Sequence, residues 1–335
     1  SAAGASVGLG NIWRFPYLAA KYGGGIFLLI YILLALTFGY TMIVAESALG
    51  RMTRKSPVGA FKAFGKKAGW LSFGGWINAI IPVLIVPYYS VIGGWVIKYF
   101  VEYLKGNGAK LAEDGYFSNF ISNGLSTEIC FIVFCMFTLI IIYAGVRNGI
   151  ERVSKFMMPI LVVLSVIIAI YSVTRPGALA GVKYFLVPNP KNFSWMTVVT
   201  AMGQMFYSLS IAMGILVTFG SYMKKDTSIE DSTRNVEVFD TAIAIMAGLM
   251  IIPAVFAFSG GDPDTLQAGP SLMFITIPKV FDSMGFGTFA GILFFLLVLF
   301  AAVTSSIALT ESAVSTVEDE LKWSRKKSTV IVGFI

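Results

Sequence analysis

Gly4-Ala5-Ser6-Val7-Gly8-Leu9-Gly10-Asn11-Ile12-Trp13-Arg14-Phe15-Pro16-Tyr17 decides how this chain is read. The stretch sits in an apolar setting fit for a bilayer, yet it is full of helix breakers. Gly4, Gly8 and Gly10 each weaken a helix by roughly 1 kcal/mol relative to Ala, and Pro16 removes a backbone donor. Asn11 and Arg14 put polar groups where lipid penalises them. In a bilayer, irregular backbone persists only against protein or a water-filled cavity. A helix broken at 6–10 leaves free carbonyls on one side and free N–H groups on the other. Carbonyls bind cations, and N–H groups at a half-helix start bind carboxylates. The stretch therefore reads as a coordinating site at mid-membrane depth. The plainer reading is a flexible Gly-rich loop entering an ordinary span.

Composition supports the membrane setting. Hydrophobic residues make up 56% of the 335 and charged residues 13%, with a mean hydropathy of +0.79. Soluble domains carry about 25% charged residues. With no His, His-based catalysis and His-ligated metals are excluded. Cys130 and Cys135 lie in an apolar run and read as small core or lipid-facing residues, not as a disulfide or metal site. The chain opens on Ser1 and is read as a piece of a longer protein without a secretory signal peptide.

About 20 apolar residues cross a bilayer, and on that criterion eight spans are expected. They lie near 2–21, 25–49, 70–104, 128–145, 156–173, 196–223, 240–259 and 286–317, the first and sixth being interrupted. Basic residues gather after the even spans, as at Arg51, Arg54, Lys55, Lys62, Lys66 and Lys67, or at Lys322, Arg325, Lys326 and Lys327. The alternate loops hold Glu113, Asp114, Asp262 and Asp264. The positive-inside rule puts the basic loops, and the start of the first span, in the cytoplasm. The net charge of +7 thus belongs to membrane topology and not to nucleic-acid binding. In the connection 260–285, the run 271–277 is apolar enough to dip back as a short helix. No linker is visible, so 1–335 reads as a single transmembrane domain.

Polar residues inside the spans mark the site. The sixth span reads Gly203-Gln204-Met205-Phe206-Tyr207-Ser208-Leu209-Ser210-Ile211-Ala212-Met213-Gly214. Broken first and sixth spans occupy corresponding positions of a five-plus-five repeat, a pattern that points to a transporter site. In the eighth span, Thr304, Ser305 and Ser306 can offer oxygens to a hard cation or simply allow close helix packing. Four intramembrane ionisable residues stand out: Arg14, Glu46, Asp240 and Glu311. Asp240 would lie near a cation if the seventh span packs on the first and sixth. Glu46 would accept from orphan N–H groups of the broken helices, and Arg14 would face an outer vestibule. Glu311 has no evident role.

The run from Val7 to Tyr17, followed by Gly23-Gly24-Gly25, resembles the first-helix signature of the neurotransmitter:sodium symporters. Gly203-Gln204 to Gly214 resembles their sixth helix, and Thr304-Ser305-Ser306 with Glu318-Asp319-Glu320-Leu321 resembles the eighth and its exit. The match runs through the whole chain, and it is nearest to the bacterial amino-acid branch. The resemblance implies an all-α polytopic membrane protein with a LeuT-like inverted five-helix repeat. Twelve helices would be expected, of which this chain would hold eight and stop near the start of the ninth. The function implied is a sodium-coupled symporter of hydrophobic or aromatic amino acids in the plasma membrane.

The resemblance also implies site residues. A first sodium site would use the Ser6 carbonyl, Asn11, Ser208 and Asp240. A second would use the carbonyls of Gly4, Val7 and Ala301 and the hydroxyls of Thr304 and Ser305. The substrate carboxylate would meet the Leu9 and Gly10 N–H groups, the Tyr89 hydroxyl and the first sodium. Its amine would meet the carbonyls of Ser6, Tyr207 and Ser208 and the Ser210 hydroxyl. The substrate side chain would lie among Ile85, Tyr89, Tyr207, Met213, Ser305 and Leu309. Arg14 and Gln204 would form an outer gate. Chloride-dependent relatives have Asn where this chain has Asp240, while Tyr31, Gln204 and Ser208 match three of their chloride ligands. A fixed carboxylate at Asp240 would substitute for chloride and, on the empty return step, take a proton. Met213 suits varied side chains, whereas Ala212, in place of a Gly, would restrict the largest.

Two other classes remain at this point. An ion channel shares broken helices and carbonyl ligands but has no use for paired amine and carboxylate cradles. An enzyme would need a base beside its serines, and none is near in sequence. A non-transporting amino-acid sensor of the same fold would keep every site residue.

Overall fold

The computed structural model describes residues 7–64, 70–261 and 269–334, and among them every regular element is helical. Among the described residues, six helices are long and apolar enough to cross a membrane: Gly25–Thr53, Leu71–Leu104, Gly124–Tyr143, Val146–Val173, Ile229–Ser259 and Gly287–Leu321. They are the second to fifth, seventh and eighth of the expected spans. The sixth does not qualify because it is interrupted, and the described part of the first, from Val7 to Lys21, is too short.

In the first span a π-helical turn, Gly10–Arg14, runs into a helix at Phe15–Lys21. Pro16 is the second residue of that helix, at the junction with the π turn. The sixth span begins at Trp195 under a capping box between Ser194 and Thr197 and stops at Ser208. It resumes as Ile215–Tyr222. Between the halves Ser210, Ala212 and Gly214 all have positive φ, at 56°, 61° and 69°. L-residues enter that region at a cost of about 1–2 kcal/mol each, so the break needs outside support. Glu46 and Asn78 supply it: Ala212 N donates to Glu46 Oε1 at 2.8 Å and Gly214 N to Asn78 Oδ1 at 3.1 Å. The expected structural role of Glu46 matches this geometry.

The seventh span starts at Ile229, well before Asp240, because Ser228 caps it by accepting from Asp231 N. This brings Glu237 into the helix as a further buried carboxyl, beyond the four ionisable residues expected. The eighth span is the most enclosed, with 72% of its apolar window buried, against 22% for the fourth. The first, sixth, seventh and eighth spans therefore form the centre and the fourth lies outside. Cys130 and Cys135 are half-buried free thiols on that outer helix.

The second half of the sixth span lies directly on the second span. A Cβ on Gly50 would come within 2.0 Å of the Val217 carbonyl, and one on Gly220 within 2.5 Å of the Ser47 carbonyl. At the basic end a helix at Pro57–Phe64 follows, and Asp319 Oδ2 accepts from Ser56 N at 2.5 Å. Arg54 donates to the Ser221 carbonyl at 3.0 Å and also to that of Met223. At the opposite end the expected dipping segment is a π turn, Leu272–Thr276, continued as Ile277–Asp282. Phe274 of that turn packs edge-on against Tyr99 and stacks on Phe117, and Phe295 packs tilted against Tyr99. Lys279 pairs with Asp114 across the surface; that hydrogen-bonded charge holds the Asp114 carboxyl below the usual range.

Candidate ion and substrate site

The interrupted first and sixth spans meet the seventh at a buried carboxylate. Asp240 has no exposed surface. Its Oδ1 accepts from Asn11 Nδ2 at 2.8 Å and from the Ser208 hydroxyl at 2.7 Å, and its Oδ2 accepts from the Tyr31 hydroxyl at 2.8 Å. Asn11 Nδ2 also reaches Ser208 Oγ at 2.9 Å, while Asn11 Oδ1 accepts from Gly8 N at 3.1 Å. Among the described residues named here, donors thus surround a charge that would otherwise be very costly to bury. Asn11, Ser208 and Asp240, expected to share a sodium site, are together. Of the residues matching chloride ligands, Tyr31 and Ser208 lie on Asp240. Gln204 is engaged elsewhere: its Nε2 donates to the Gly10 carbonyl and its Oε1 accepts from Arg14 Nη1, both at 3.0 Å.

A second oxygen cluster joins the first and eighth spans. Ser305 Oγ donates to the Val7 carbonyl at 3.0 Å. Thr304 Oγ1 lies 3.4 Å from the Val7 carbonyl and 3.2 Å from that of Ala301. The three consecutive hydroxyls do not act as one set. Ser306, one residue further round the helix, is buried with its hydroxyl unpartnered. Gly4 and Ser6, expected to give carbonyls to these clusters, lie outside the described residues.

Between the two clusters is a cavity of about 30 Å3 lined by Gly10, Ile85, Tyr89, Tyr207, Ser208, Ser210, Met213, Ser305 and Leu309, all expected there, and by Gly8, Asn11 and Ile215. Leu9 N donates to the Tyr89 hydroxyl at 3.0 Å at its edge. Ile215 escaped sequence reading, although it opens the helix that Gly214 caps. Tyr207 separates this cavity from a recess of about 380 Å3 lined by Trp13, Arg14, Tyr17 and Tyr88 among others. The Tyr88 and Tyr207 hydroxyls are 3.1 Å apart, and the Arg14 guanidinium lies 5.1 Å above the Tyr207 ring. The expected gate pair, Arg14 and Gln204, is thus in contact above the cavity.

Glu311, without a role in the sequence, lies at the basic end of the eighth span. It has no exposed surface and is held by Arg325 at 2.5 and 2.9 Å and by the Tyr222 hydroxyl at 2.7 Å. Nothing in the local pattern around residue 311 points to a partner in the next helix.

An interrupted sixth span against an irregular start of the first, a carboxylate ringed by donors and a small cavity between two oxygen clusters define a class: secondary transporters that bind ions and solute at one site. The chain belongs to the Sodium:neurotransmitter symporter family, whose model matches residues 1–111 and 118–335. It is 36% identical over 338 residues to the uncharacterized sodium-dependent transporter YhdH of Bacillus subtilis (strain 168), covering 100% of this chain and 74% of that one. An uncharacterized sodium-dependent transporter of Haemophilus influenzae is 34% identical over 343 residues, covering 98% and 74%. The crystal structure of MhsT in complex with L-phenylalanine matches with a TM-score of 0.89 at 36% identity, covering 99% of this chain and 75% of that one. The protein is a sodium-dependent, multi-pass membrane transporter of the LeuT fold and not an enzyme.

Proposed function

We propose that the protein is a sodium-coupled symporter of hydrophobic or aromatic α-amino acids working by alternating access, with its basic loops in the cytoplasm of a plasma-membrane protein. The chain's residues are read as one domain with two sodium sites. The reading rests on Asp240, a fixed carboxylate ringed by Asn11, Ser208 and Tyr31. A sodium ion would take the place of the Asn11 amide group. A half-turn of that side chain exchanges Nδ2 for Oδ1 at the carboxylate and releases Gly8 N. The second ion would sit among the oxygens of Val7, Ala301, Thr304 and Ser305.

The substrate carboxylate would bind beside the first ion, at Leu9 N, Gly10 N and the Tyr89 hydroxyl. Its amine would bind at the Tyr207 and Ser208 carbonyls and the Ser210 hydroxyl. The cavity holds about two waters as it stands, so Met213, Ile85 and Leu309 must give way to an amino-acid side chain. The phenylalanine in the MhsT complex supports an apolar substrate. Arg14, Gln204, Tyr88 and Tyr207 would close the outer side. Asp240 supplies the negative charge that chloride brings elsewhere and would carry a proton back on the empty step.

The test is uptake of labelled leucine, tyrosine and tryptophan into proteoliposomes holding the full-length protein, under a sodium gradient with and without chloride. Accumulation that needs sodium and ignores chloride is expected. Uptake that requires chloride removes the role given to Asp240. Sodium-coupled binding without uptake makes the protein a sensor.

A further inference from the structure

The interrupted segment 209–214 is held by side chains of two different spans. Glu46 of the second span accepts from Ala212 N at 2.8 Å, and Asn78 of the third accepts from Gly214 N at 3.1 Å. Both ends of the Asn78 amide are committed, since its Nδ2 donates to the Gly74 carbonyl at 2.9 Å. A half-turn of the amide would set donor against donor, so one orientation is fixed. Met213, which lines the cavity, lies between the two anchored residues. Gly214 itself is wedged: a Cβ there would meet Pro57 Cγ at 2.6 Å, the Asn78 carbonyl at 3.0 Å and Ser312 Oγ at 3.2 Å.

The two anchors join different bodies. The second span and the Ile215–Tyr222 helix are in backbone contact through Gly50 and Gly220, so Glu46 acts within one packed unit. Asn78 belongs to the span that carries Ile85 and Tyr89 to the cavity wall. Its bond to Gly214 crosses from that span to the unit formed by the second span and the lower half of the sixth. The Thr218–Ser312 hydroxyl contact, 3.4 Å, crosses the same seam to the eighth span.

We propose that Asn78 is a positioning residue that sets how large a substrate side chain the cavity admits and, through the same bond, holds the basic end of the protein closed. This rests on the amino-acid reading above. A side chain too long for the cavity presses on Met213, and beyond what a change of Met213 rotamer can clear, the backbone must carry Gly214 away from Asn78. Substrate size and parting of the seam are therefore read by one hydrogen bond. Glu46 cannot serve this purpose, because it travels with the segment that it holds.

The test uses the full-length protein with Asn78→Ala, the volume-keeping Asn78→Leu, and Asn78→Asp at a pH low enough to keep its carboxyl protonated, so that it retains the acceptor for Gly214 N and an O–H donor for the Gly74 carbonyl. Two quantities are measured. The first is the ratio of apparent affinities for leucine and tryptophan in sodium. The second is the rate at which a membrane-impermeant maleimide labels Thr218→Cys from the basic side. Losing a hydrogen-bond acceptor shifts an equilibrium about threefold to tenfold. The ratio is expected to move toward tryptophan, and labelling to quicken, by that factor in the Ala and Leu variants and by less than twofold in Asp. Binding that persists with ratio and labelling unchanged in Ala and Leu overturns the proposal. Equal effects in Ala, Leu and Asp also overturn it, because the acceptor would then be irrelevant. If the parent binds no α-amino acid in sodium yet labelling quickens in Ala and Leu alone, the substrate reading fails and the positioning role stands.

Discussion

Asp240→Asn separates charge from shape at the centre of the site. Asp240 Oδ1 accepts from Asn11 and Ser208, and Oδ2 accepts from Tyr31. An Asn side chain can keep its oxygen toward the first two. Its NH2 then faces Tyr31, whose hydroxyl turns to accept; the shape of the site is kept, and the cost is one buried O–H that loses its acceptor. What is lost is one negative charge beside the proposed ion. Two unit charges 4 Å apart at an effective dielectric of 20 attract by about 4 kcal/mol. The amide oxygen still contacts the ion and recovers part of that, leaving a net loss of roughly 1.4–2.8 kcal/mol, or tenfold to a hundredfold in affinity. The assay is the sodium dependence of leucine or phenylalanine binding to the purified full-length protein, in chloride and in gluconate. Sodium affinity is expected to fall by that factor in gluconate and to recover partly in chloride, which would have Tyr31 and Ser208 as donors. A variant whose sodium affinity stays within twofold of the parent in gluconate refutes the reasoning.

Three further changes, and one control, probe other parts of the structure. Arg14→Gln removes the bond to Gln204 and the contact with the Tyr207 ring, together worth about 1–2 kcal/mol. Substrate dissociation should quicken about fivefold to thirtyfold, as followed by washout of bound label. Glu311→Ala leaves Arg325 without its partner at a buried site. Breaking such a pair costs about 3–5 kcal/mol, so the melting temperature in detergent should drop clearly, whereas substrate selectivity should not change. Gly50→Ala drives a methyl group into the Val217 carbonyl at a cost of about 1–3 kcal/mol. It should lower the melting temperature, while Gly203→Ala, where a Cβ meets nothing within 4 Å, should leave it in place.

What the sequence revealed and what it hid divide along a physical line. Breaks in apolar helices are local events: Gly8, Gly10 and Pro16, or Ser208 to Gly214, disrupt a pattern within a few residues. The polar groups beside such breaks have few places to go in a bilayer. The residues alone placed Asp240 near a cation only if the seventh span packed on the first and sixth; it was the family resemblance that joined Asn11, Ser208 and Asp240 into one site. Partnerships that depend on how helices rotate were not readable. Ser306 looks like its neighbours Thr304 and Ser305 in sequence, but one further residue of helix turns it away from Val7. Glu311 finds Arg325 only because a helix folds back beyond the eighth span. Asn78 did carry a signal, a lone amide in the run Trp76-Ile77-Asn78-Ala79-Ile80, and it went unused because its acceptor role depends on the position of Gly214.

The two oxygen clusters share one short piece of backbone, and this bears on how ions and substrate are coupled. Val7 gives its carbonyl to Thr304 and Ser305, Gly8 gives its N–H to Asn11, Leu9 gives its N–H to Tyr89, and Gly10 gives its carbonyl to Gln204. Four consecutive residues thus touch the second cluster, the first cluster, the cavity wall and the outer gate in turn. No span separates them, so an ion that orders the backbone at Val7 also reduces what must be ordered at Leu9. Coupling of this kind is reciprocal by linkage. If sodium tightens substrate binding by some factor, substrate must tighten sodium binding by the same factor. Substitutions at Ser305 and at Tyr89 should then reduce both effects together. Because the two effects are one coupling free energy, variants at both positions that keep the parent's coupling factor would mean that the clusters communicate by a route other than residues 7–10.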